Sequence, residues 1–294
     1  MKNDISIASR LFNVFNVIFM VFFGIICIYP FYYLMIYALS DPQLSAGGIG
    51  LLPKGFTFKN FETLFTMKEI PQAAFISVAR TICASTITVL CSSFFAYLMT
   101  KQEMYCRKFI YRFVILTMYV SGGLIPTYLV YRAYDLRNSF WVYIIPGALS
   151  AYYIILLKTS IEQLPASLEE SAELEGAGIF TCFAKIVFPL SKPIIATIAV
   201  FAIVAEWNYW FDTHIYISDN NLYTLQYVLY RYLQDAQMMA ERIARGTITA
   251  GASTITPTAV RMTVTAVITL PVMCVYPFMQ RYFVKGILIG AVKG

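Results

Sequence analysis

The sequence predicts an all-α integral membrane protein built as a single domain over residues 1–294. Of its 294 residues, 59% are hydrophobic and only 13% are charged, and the mean hydropathy is +0.66. A chain of this composition cannot be covered by water as an ordinary soluble domain is. Most of its surface is therefore expected to face lipid or neighbouring helices.

Six apolar stretches are long enough to cross a bilayer as helices. A hydrocarbon core about 30 Å thick requires roughly 20 apolar residues in a helix. The first stretch is too long for a signal peptide and no small-residue cleavage site follows it, so we expect it to remain as an anchor. The six predicted transmembrane helices lie at residues 12–38, 73–99, 109–131, 140–158, 193–211 and 263–283.

Basic residues predict the orientation of these helices, because cytoplasmic loops are enriched in Lys and Arg. With six crossings, both termini and the loop at 161–192 then lie in the cytoplasm, and the loops at 40–72 and 212–262 lie outside. The loop at 40–72 is a candidate for a lid or brace. The loop at 212–262 contains a predicted amphipathic helix near Leu225–Leu233 and is a candidate for contact with an external delivery protein. The basic residues concerned are Lys101, Arg107, Lys108, Arg112, Arg281, Lys285 and Lys293.

The cytoplasmic loop reads as two short helices joined by a glycine turn. Ser167 and Glu170 have the spacing of a capping box, so a helix is expected to begin near Leu168. Gly176 suits the left-handed conformation common just past a helix end. Beyond it, apolar residues recur at helical spacing until prolines end the second helix. These residues are Ile179, Phe183, Ile186, Val187 and Leu190, followed by Pro189 and Pro193.

Two charged residues lie inside predicted spans, where an unpaired charge costs at least a few kcal/mol. They are Arg80 and Glu206, and Glu206 is followed at once by Trp207, Asn208 and, two residues later, Trp210. Rings with polar tips can stack on sugar faces while amides bond sugar hydroxyls. The same residues would equally form an interfacial aromatic belt. All five are candidates for a substrate pathway.

Several other functions have little support in the sequence. His214 is the only histidine, which leaves little material for a zinc site or a histidine-based catalytic set. The six cysteines are scattered without a CxxC pair and are expected to be small buried hydrophobes. The net charge of +6 comes without a basic cluster and predicts no nucleic-acid partner. No Gly-Lys dipeptide occurs, so a phosphate-binding P-loop is absent from the sequence.

The loop resembles the EAA motif of importer-type ABC transporter permeases. The resemblance rests on Glu170-Ser171-Ala172, Glu175-Gly176-Ala177, Phe183, Ile186, Pro189 and Pro193, with Ser171 and Glu175 where the family typically has Ala and Asp. In that family the first helix is a coupling helix that seats in a cleft of a cytoplasmic ATPase subunit. The residues that the resemblance assigns to ATPase docking are Ser167, Glu169, Glu170, Ser171, Ala172, Glu175, Gly176 and Ala177.

A second resemblance covers nearly the whole chain. The segments at 122–130, 138–149, 206–211, 222–229 and 275–294 are similar to carbohydrate-uptake permeases, within them to the LplC/YtcP-like branch. This implies a maltose-permease-type fold in a prokaryotic inner membrane. It also implies a second homologous permease as heterodimer partner, two ATPase subunits that bind ATP and Mg²⁺, an extracytoplasmic solute-binding protein and an oligosaccharide substrate. The chain itself would hold no cofactor.

Three alternatives remain open from the sequence. An ABC permease for another solute, such as amino acids, would carry the same EAA loop. A secondary transporter would need ion-coupling charges near the midplane of the membrane, and Arg80 with Glu206 gives little support for such a set. An integral-membrane enzyme would need a clustered polar catalytic set, which a lone histidine does not favour.

Overall fold

The computed structural model describes residues 7–45, 47–245 and 258–274. Within these ranges the regular structure is helical, with one isolated bridge between Ser40 and Phe56. The α-helices there are α1 Ile7–Ala38, α2 Lys59–Thr66, α3 Glu69–Leu98, α4 Arg107–Tyr119, α5 Leu124–Ala133, α6 Ala151–Ile161, α7 Ala166–Leu174, α8 Ile179–Cys182, α9 Phe188–Leu190, α10 Lys192–Asn208, α11 Phe211–Tyr216, α12 Leu225–Ala244 and α13 Thr258–Cys274.

The chain divides into two compact units, and each is described here by itself. The first comprises Met1–Met67 with Arg231–Leu270, and the second comprises Lys68–Tyr230 with Pro271–Gly294. The predicted span 263–283 is described only as far as residue 274. The basic C-terminal residues and the segment 246–257 also lie outside the described residues.

In the first unit, α1 leads into a compact loop that is closed by α2. The Asn60 side-chain amide donates to the carbonyls of Ala38 and Ser40 at 2.9 and 2.7 Å. Gly55 adopts a φ of +63°, and a Cβ there would lie only 2.9 Å from the Leu44 side chain. The loop is therefore locked by a buried amide and a tight glycine turn, which suits the brace predicted for residues 40–72.

In the second unit, α3 is the central helix and packs mainly against α6 and α10. Its buried face is rich in small and hydroxylated residues, which allow helices to approach closely in a membrane. Hydroxyls on α3 also bind backbone groups of the facing segments: Thr88 donates to the Gly147 carbonyl at 2.7 Å, and Ser92 accepts from the Ser150 amide at 3.2 Å. The small buried residues are Ala73, Ser77, Thr81, Ala84, Ser85, Thr88, Ser92, Ser93 and Ala96.

Two predicted continuous spans are interrupted in the structure. The stretch 109–131 divides into α4 and α5 at residues 120–123, where Gly123 has a φ of +83°. The stretch 140–158 divides into a 3₁₀ turn at Phe140–Tyr143 and the helix α6. Hydropathy detects apolar length but not these breaks. In the described part of the chain, α1 and α3 are long and apolar enough to span a membrane. The segment Ile179–Leu190 and α10, taken together as one bent helix, make a third candidate.

The segment after α7 is a broken helix. It runs through α8, a π-helical turn at Phe183–Val187 and α9, and then bends by 83° into α10. The bend falls at Ser191, between the two predicted helix-ending prolines, and Pro193 occupies the first turn of α10. The apolar stripe predicted for this helix is only partly buried, because Ile179 and Leu190 are exposed.

The cysteine prediction is mostly wrong. Among the described residues, Cys182 is buried, and it packs in the core shared by α3, α6, α10 and the broken helix. The other five cysteines are exposed on the chain. A polarizable thiol is compatible with a lipid-facing position as well as with a core, so apolar context alone could not separate the two.

Candidate functional site

A buried ion cluster lies at the centre of the second unit. The Arg80 side chain on α3 is only 2% exposed, and its guanidinium contacts the carboxylates of Glu206 on α10 and Asp212 on α11. The closest N–O distances are 3.0 Å to Glu206 and 2.7 Å to Asp212. Three helices are thus joined through one side chain. Such pairing is required for a charge buried in a membrane protein.

All three guanidinium nitrogens of Arg80 have partners in this cluster. The Nε atom donates a hydrogen bond to Glu206 at 3.0 Å. One terminal nitrogen donates to the Tyr209 carbonyl at 2.8 Å and to Asp212 at 3.0 Å. The other terminal nitrogen contacts both Glu206 and Asp212. Arg80 therefore makes four hydrogen bonds and one further ion-pair contact, and each of its nitrogens is engaged by a protein oxygen.

Tyr143 supports the cluster from the 3₁₀ turn. Its ring lies under the guanidinium, with the Arg80 Cζ 4.6 Å from the ring centroid, which is a cation–π arrangement. Its hydroxyl donates to the Leu222 carbonyl at 2.8 Å and shares a hydrogen bond with Thr213 at 3.0 Å. The turn that interrupts the predicted span therefore supplies a structural wall of the site.

The ion cluster borders a cavity of about 440 Å³. Its lining combines aromatic rings, hydroxyls and the charged cluster, which is typical of a small-molecule site. The Gly123 break between α4 and α5 also lies on its wall. The lining residues are Arg80, Ser121, Gly123, Leu124, Thr127, Tyr131, Val142, Tyr143, Pro146, Gly147, Glu206, Tyr209, Phe211, Asp212 and Tyr216.

The structure brings together two of the five predicted pathway residues. Arg80 and Glu206 meet at the cavity, but Trp207, Asn208 and Trp210 do not line it. The Asn208 amide donates to the Val204 carbonyl in its own helix at 2.8 Å. The Trp210 ring stacks on Tyr230 with centroids 4.0 Å apart. A pathway role for these three residues stays a prediction.

Asp212 and Tyr143 belong to the site but were missed in the sequence. Asp212 follows Glu206 by six residues within an aromatic run, so its charge in apolar surroundings was a usable signal. Tyr143 gave no comparable signal, because a tyrosine within an apolar stretch is common. Its position depends on the 3₁₀ turn, which hydropathy does not reveal.

A helix, α7, lies where the coupling helix was predicted, but it begins earlier than expected; its coupling role stays a prediction. It starts at Ala166 with Pro165 at the cap position, where no side chain caps the backbone. Ser167 lies inside the helix and its carbonyl accepts a hydrogen bond from the Ser171 hydroxyl at 2.8 Å. The predicted capping box is therefore wrong. Proline has a fixed φ angle, and Pro165 occupies the cap position two residues before Ser167, so the helix begins at Ala166.

Gly176 ends α7 as predicted. It has a φ of +84°, its amide donates to the Glu173 carbonyl at 3.0 Å, and the Ala177 amide donates to the Ala172 carbonyl at 2.9 Å. This pair of hydrogen bonds is a Schellman motif. A Cβ at Gly176 would meet no atom within 4 Å. The glycine is therefore required by backbone conformation and not by crowding.

A polar latch joins α7 to the end of α3. The Lys101 ammonium forms ion pairs with Glu169 and Glu173, the second at 3.1 Å, and the Tyr97 hydroxyl donates to Glu169 at 3.1 Å. Tyr97 lies in the last turn of α3 and is buried against Phe183. We define these four residues, Tyr97, Lys101, Glu169 and Glu173, as the latch.

The latch keeps Lys101 protonated. Partial burial on its own lowers the pKa of this ammonium, but the hydrogen bonds with Glu169, Tyr97 and Glu173 raise the pKa by more. The net pKa lies above the ordinary lysine value, so Lys101 stays protonated throughout the physiological pH range.

The outer surface of α7 is exposed. Glu170, Ser171 and Glu175 are exposed, and the apolar side chain of Leu174 is 91% exposed. Leu174 therefore presents an apolar side chain at the end of α7, flanked by the acids Glu173 and Glu175. Among the described residues, no group of three or more His, Cys, Asp or Glu residues is arranged to hold a metal ion.

Comparison with known proteins agrees with this architecture. Protein LplC of Bacillus subtilis (strain 168) is 33% identical over 98% of this chain and 96% of its own length. The polygalacturonan/rhamnogalacturonan transport system permease protein YtcP of the same organism is 33% identical over 97% and 99%. No family model matches the chain.

A solved structure shares the fold. One chain in the crystal structure of a bacterial ABC transporter involved in the import of the acidic polysaccharide alginate superposes with a TM-score of 0.84. The match covers 95% of this chain and 98% of that chain, at 23% sequence identity. At this identity the likeness establishes the helical permease fold.

The fold and the near-full-length relatives define the class as a membrane permease subunit of an ABC transporter. The chain belongs to the carbohydrate-import permeases, in the branch that contains LplC and YtcP. It is accordingly a multi-pass membrane transport subunit and not an enzyme.

Proposed function

We propose that this chain is one permease subunit of an ATP-driven, binding-protein-dependent importer of oligosaccharides that works by alternating access. The observation that carries the proposal is the latch: the exposed helix α7 is bonded to the end of α3, and α3 carries Arg80 into the cavity wall. One helix therefore joins a surface suited to a cytoplasmic partner to a cavity suited to a small molecule.

The permease would cross a prokaryotic inner membrane six times, with both termini in the cytoplasm. The apolar stretches, the even number of predicted spans and the basic loop that contains Arg107 and Lys108 support this topology. In it, α7 faces the cytoplasm. The broken helices α4 and α5 would then form an interrupted span, which occurs where backbone lines a cavity. The segment 179–190 would belong to the cytoplasmic loop, and the chain would enter the membrane at α10, after the bend at Ser191.

The partners would be a second, homologous permease, two ATPase subunits and an extracytoplasmic binding protein. The relatives are named as permease proteins of transport systems, which supports such an assembly. ATP and Mg²⁺ would be bound by the ATPase subunits. The exposed face of α7, with Leu174 at its C-terminal end, would seat in the ATPase, and Ser167, Glu169, Ala172, Gly176 and Ala177 would complete the docking element.

Transport requires that ATPase closure favour one arrangement of the permease over another, because a conformational equilibrium shifts only by differential binding. Movement of α7 would be transmitted through Lys101 and Tyr97 to α3. Arg80 would carry that movement to Glu206 and Asp212, and so to the helices that line the cavity. The buried cluster would keep these helices moving as one body.

The proposal is tested by purification of the tagged chain from native membranes in detergent, with mass spectrometry of the accompanying proteins. We expect a second permease and an ATPase. The Leu174→Asp variant should lose the ATPase while it retains the second permease. Glu103→Ala, a charge change at another exposed cytoplasmic-loop position, is the control. Recovery of the chain alone, still active in uptake after reconstitution, would refute the proposal in favour of a secondary transporter.

A further inference from the structure

The cavity wall carries an unbalanced charge. Two carboxylates, Glu206 and Asp212, line it, and Arg80 is the one cation among the described residues that do so. Since all three groups are linked by ion pairs, the cluster carries a net charge of about −1 when both acids are ionised. A low-dielectric wall reinforces the effect of that charge on anything that enters.

Arg80 cannot offset this charge for a ligand. Its three nitrogens are already engaged by Glu206, Asp212 and the Tyr209 carbonyl, and one of its faces is covered by the Tyr143 ring. A carboxylate ligand would need free donors in a fork, which is how arginine normally recognises such a group. To gain them it would have to displace a protein carboxylate from a fully formed buried cluster.

The rest of the lining suits hydroxyl groups. Both hydrogen bonds from Arg80 to Glu206 end on its Oε2 atom. The other oxygen, Oε1, lies near Gly147, where an added Cβ would be 3.7 Å from it. A carboxylate oxygen is a strong acceptor for a sugar hydroxyl. Tyrosine, serine and threonine hydroxyls complete the polar surface at Ser121, Thr127, Tyr131, Tyr209 and Tyr216.

We propose that this cavity selects uncharged sugar units and disfavours uronate units, with Glu206 as the acceptor for a sugar hydroxyl. The proposal rests on the proposed function, in which the cavity lies on the sugar pathway. YtcP is named for polygalacturonan and rhamnogalacturonan, and the transporter that shares this fold is involved in the import of the acidic polysaccharide alginate. Under this proposal the chain would differ from both in the charge of the sugar it prefers. Glu206 and Asp212 would act as specificity-determining residues.

The charge of the cavity can be measured without knowledge of the natural sugar. Ser121→Cys places a thiol on the cavity wall of the full chain in lipid nanodiscs. Its modification by a cationic and an anionic methanethiosulfonate of similar size is followed by mass spectrometry of the peptide. We expect the cationic reagent to react about tenfold faster, after correction for the reactivity of a free thiol. Exposed Cys106, which does not line the cavity, is the internal reference.

A neutralising variant should abolish this preference for the cationic reagent. In Glu206→Gln, Arg80 keeps its pair with Asp212, and we expect the reagent ratio at position 121 to fall to about 1, with no change at Cys106. If this variant does not fold, the proposal is tested by the ratio of cationic to anionic modification rates at position 121 in the parent protein. Equal rates, or faster reaction of the anionic reagent, in the parent protein would overturn the proposal.

A matched sugar pair tests the selection itself. Trigalacturonic acid and its fully methyl-esterified form share rings and linkages and differ in charge. We expect the ester to slow modification at position 121 at a concentration at least tenfold lower than the acid. Stronger protection by the acid would overturn the proposal. Failure to recover an ATPase with the chain would instead refute the proposed function, and the reagent ratio would still report the charge of the cavity.

Discussion

The two polar clusters attached to α3 differ in burial and therefore in what they can do. Arg80 is 2% exposed, and each of its guanidinium nitrogens contacts a protein oxygen. Lys101, which lies just past the C-terminal end of α3, is 16% exposed. It pairs with Glu169 and Glu173, which are 20% and 50% exposed. The first cluster lies between helices of one packed core. The second joins that core to a short surface helix.

This difference suggests a division of labour. Breaking a buried ion pair leaves an uncompensated charge and costs about 3–5 kcal/mol. A solvent-exposed pair contributes about 0–1 kcal/mol, because water competes for both charges. The Arg80 cluster is therefore suited to hold the cavity helices in one geometry. The latch is suited to transmit motion, since it can be strained or released at small cost.

The largest effect is expected from Arg80→Met. Removal of the guanidinium leaves two buried carboxylates without a counter-charge, so we expect a loss of about 3–5 kcal/mol and a large drop in thermal stability. Thermal unfolding in detergent, followed by size-exclusion chromatography, measures it. Combining this change with Glu206→Gln and Asp212→Asn should restore much of the lost stability. No gain in the triple variant would argue against an electrostatic role.

The next largest effect is expected from Gly176→Val. The residue must adopt a φ of +84°, where a β-branched side chain is strained by about 1–2 kcal/mol. We expect the variant to enter the membrane but to lose the ATPase or its coupling to uptake. Gly178→Val is the matched control, because Gly178 has a φ of −74° and an equally open surrounding. A Gly176 variant with full uptake and normal ATPase binding would contradict the coupling role.

A smaller effect on stability, with a large effect on transport, is expected from Lys101→Met. Loss of the latch should cost no more than about 1 kcal/mol of stability. Uptake should nevertheless fall while the ATPase still co-purifies. Lys158→Met removes a comparable lysine, which pairs with Glu162 and lies over the Tyr111 ring, and should leave uptake near normal. Equal uptake defects in both variants would contradict a specific role for the latch.

The smallest effect is expected from Ser167→Ala. Since Ser167 lies inside α7 and does not cap it, its hydroxyl can be removed with a change of less than about 0.5 kcal/mol, and alanine favours a helix. A true capping serine would cost about 1 kcal/mol. Thermal stability of the variant separates the two cases. A clear loss would restore the capping interpretation.

Local sequence patterns predicted much of this fold. The apolar stretches located α1, α3 and α10, and glycine at position 176 located the end of α7, because helix length and left-handed backbone have direct sequence signals. The breaks at 120–123 and 144–150 were missed, since hydropathy averages over them. Ser167 was assigned as a cap because the spacing fits; Pro165, two residues earlier, determines where the helix begins.

The site was partly predictable for the same reason. A charge in an apolar span must find a partner, which correctly drew attention to Arg80 and Glu206. Which residues surround them depends on how α3, α10, α11 and the 3₁₀ turn meet, and no local pattern specifies that. The latch was likewise unseen, because Lys101 and Glu169 are separated by 68 residues and each reads alone as a surface charge.

The central claim, that α7 controls the cavity through the latch, is tested most directly by the reactivity of a cavity thiol in the assembled transporter. Ser121→Cys would be modified with and without ATP, in the parent protein and in Lys101→Met. The account predicts that ATP changes the modification rate severalfold in the parent and has little effect in Lys101→Met, although the ATPase remains bound. An undiminished response to ATP in Lys101→Met would contradict it.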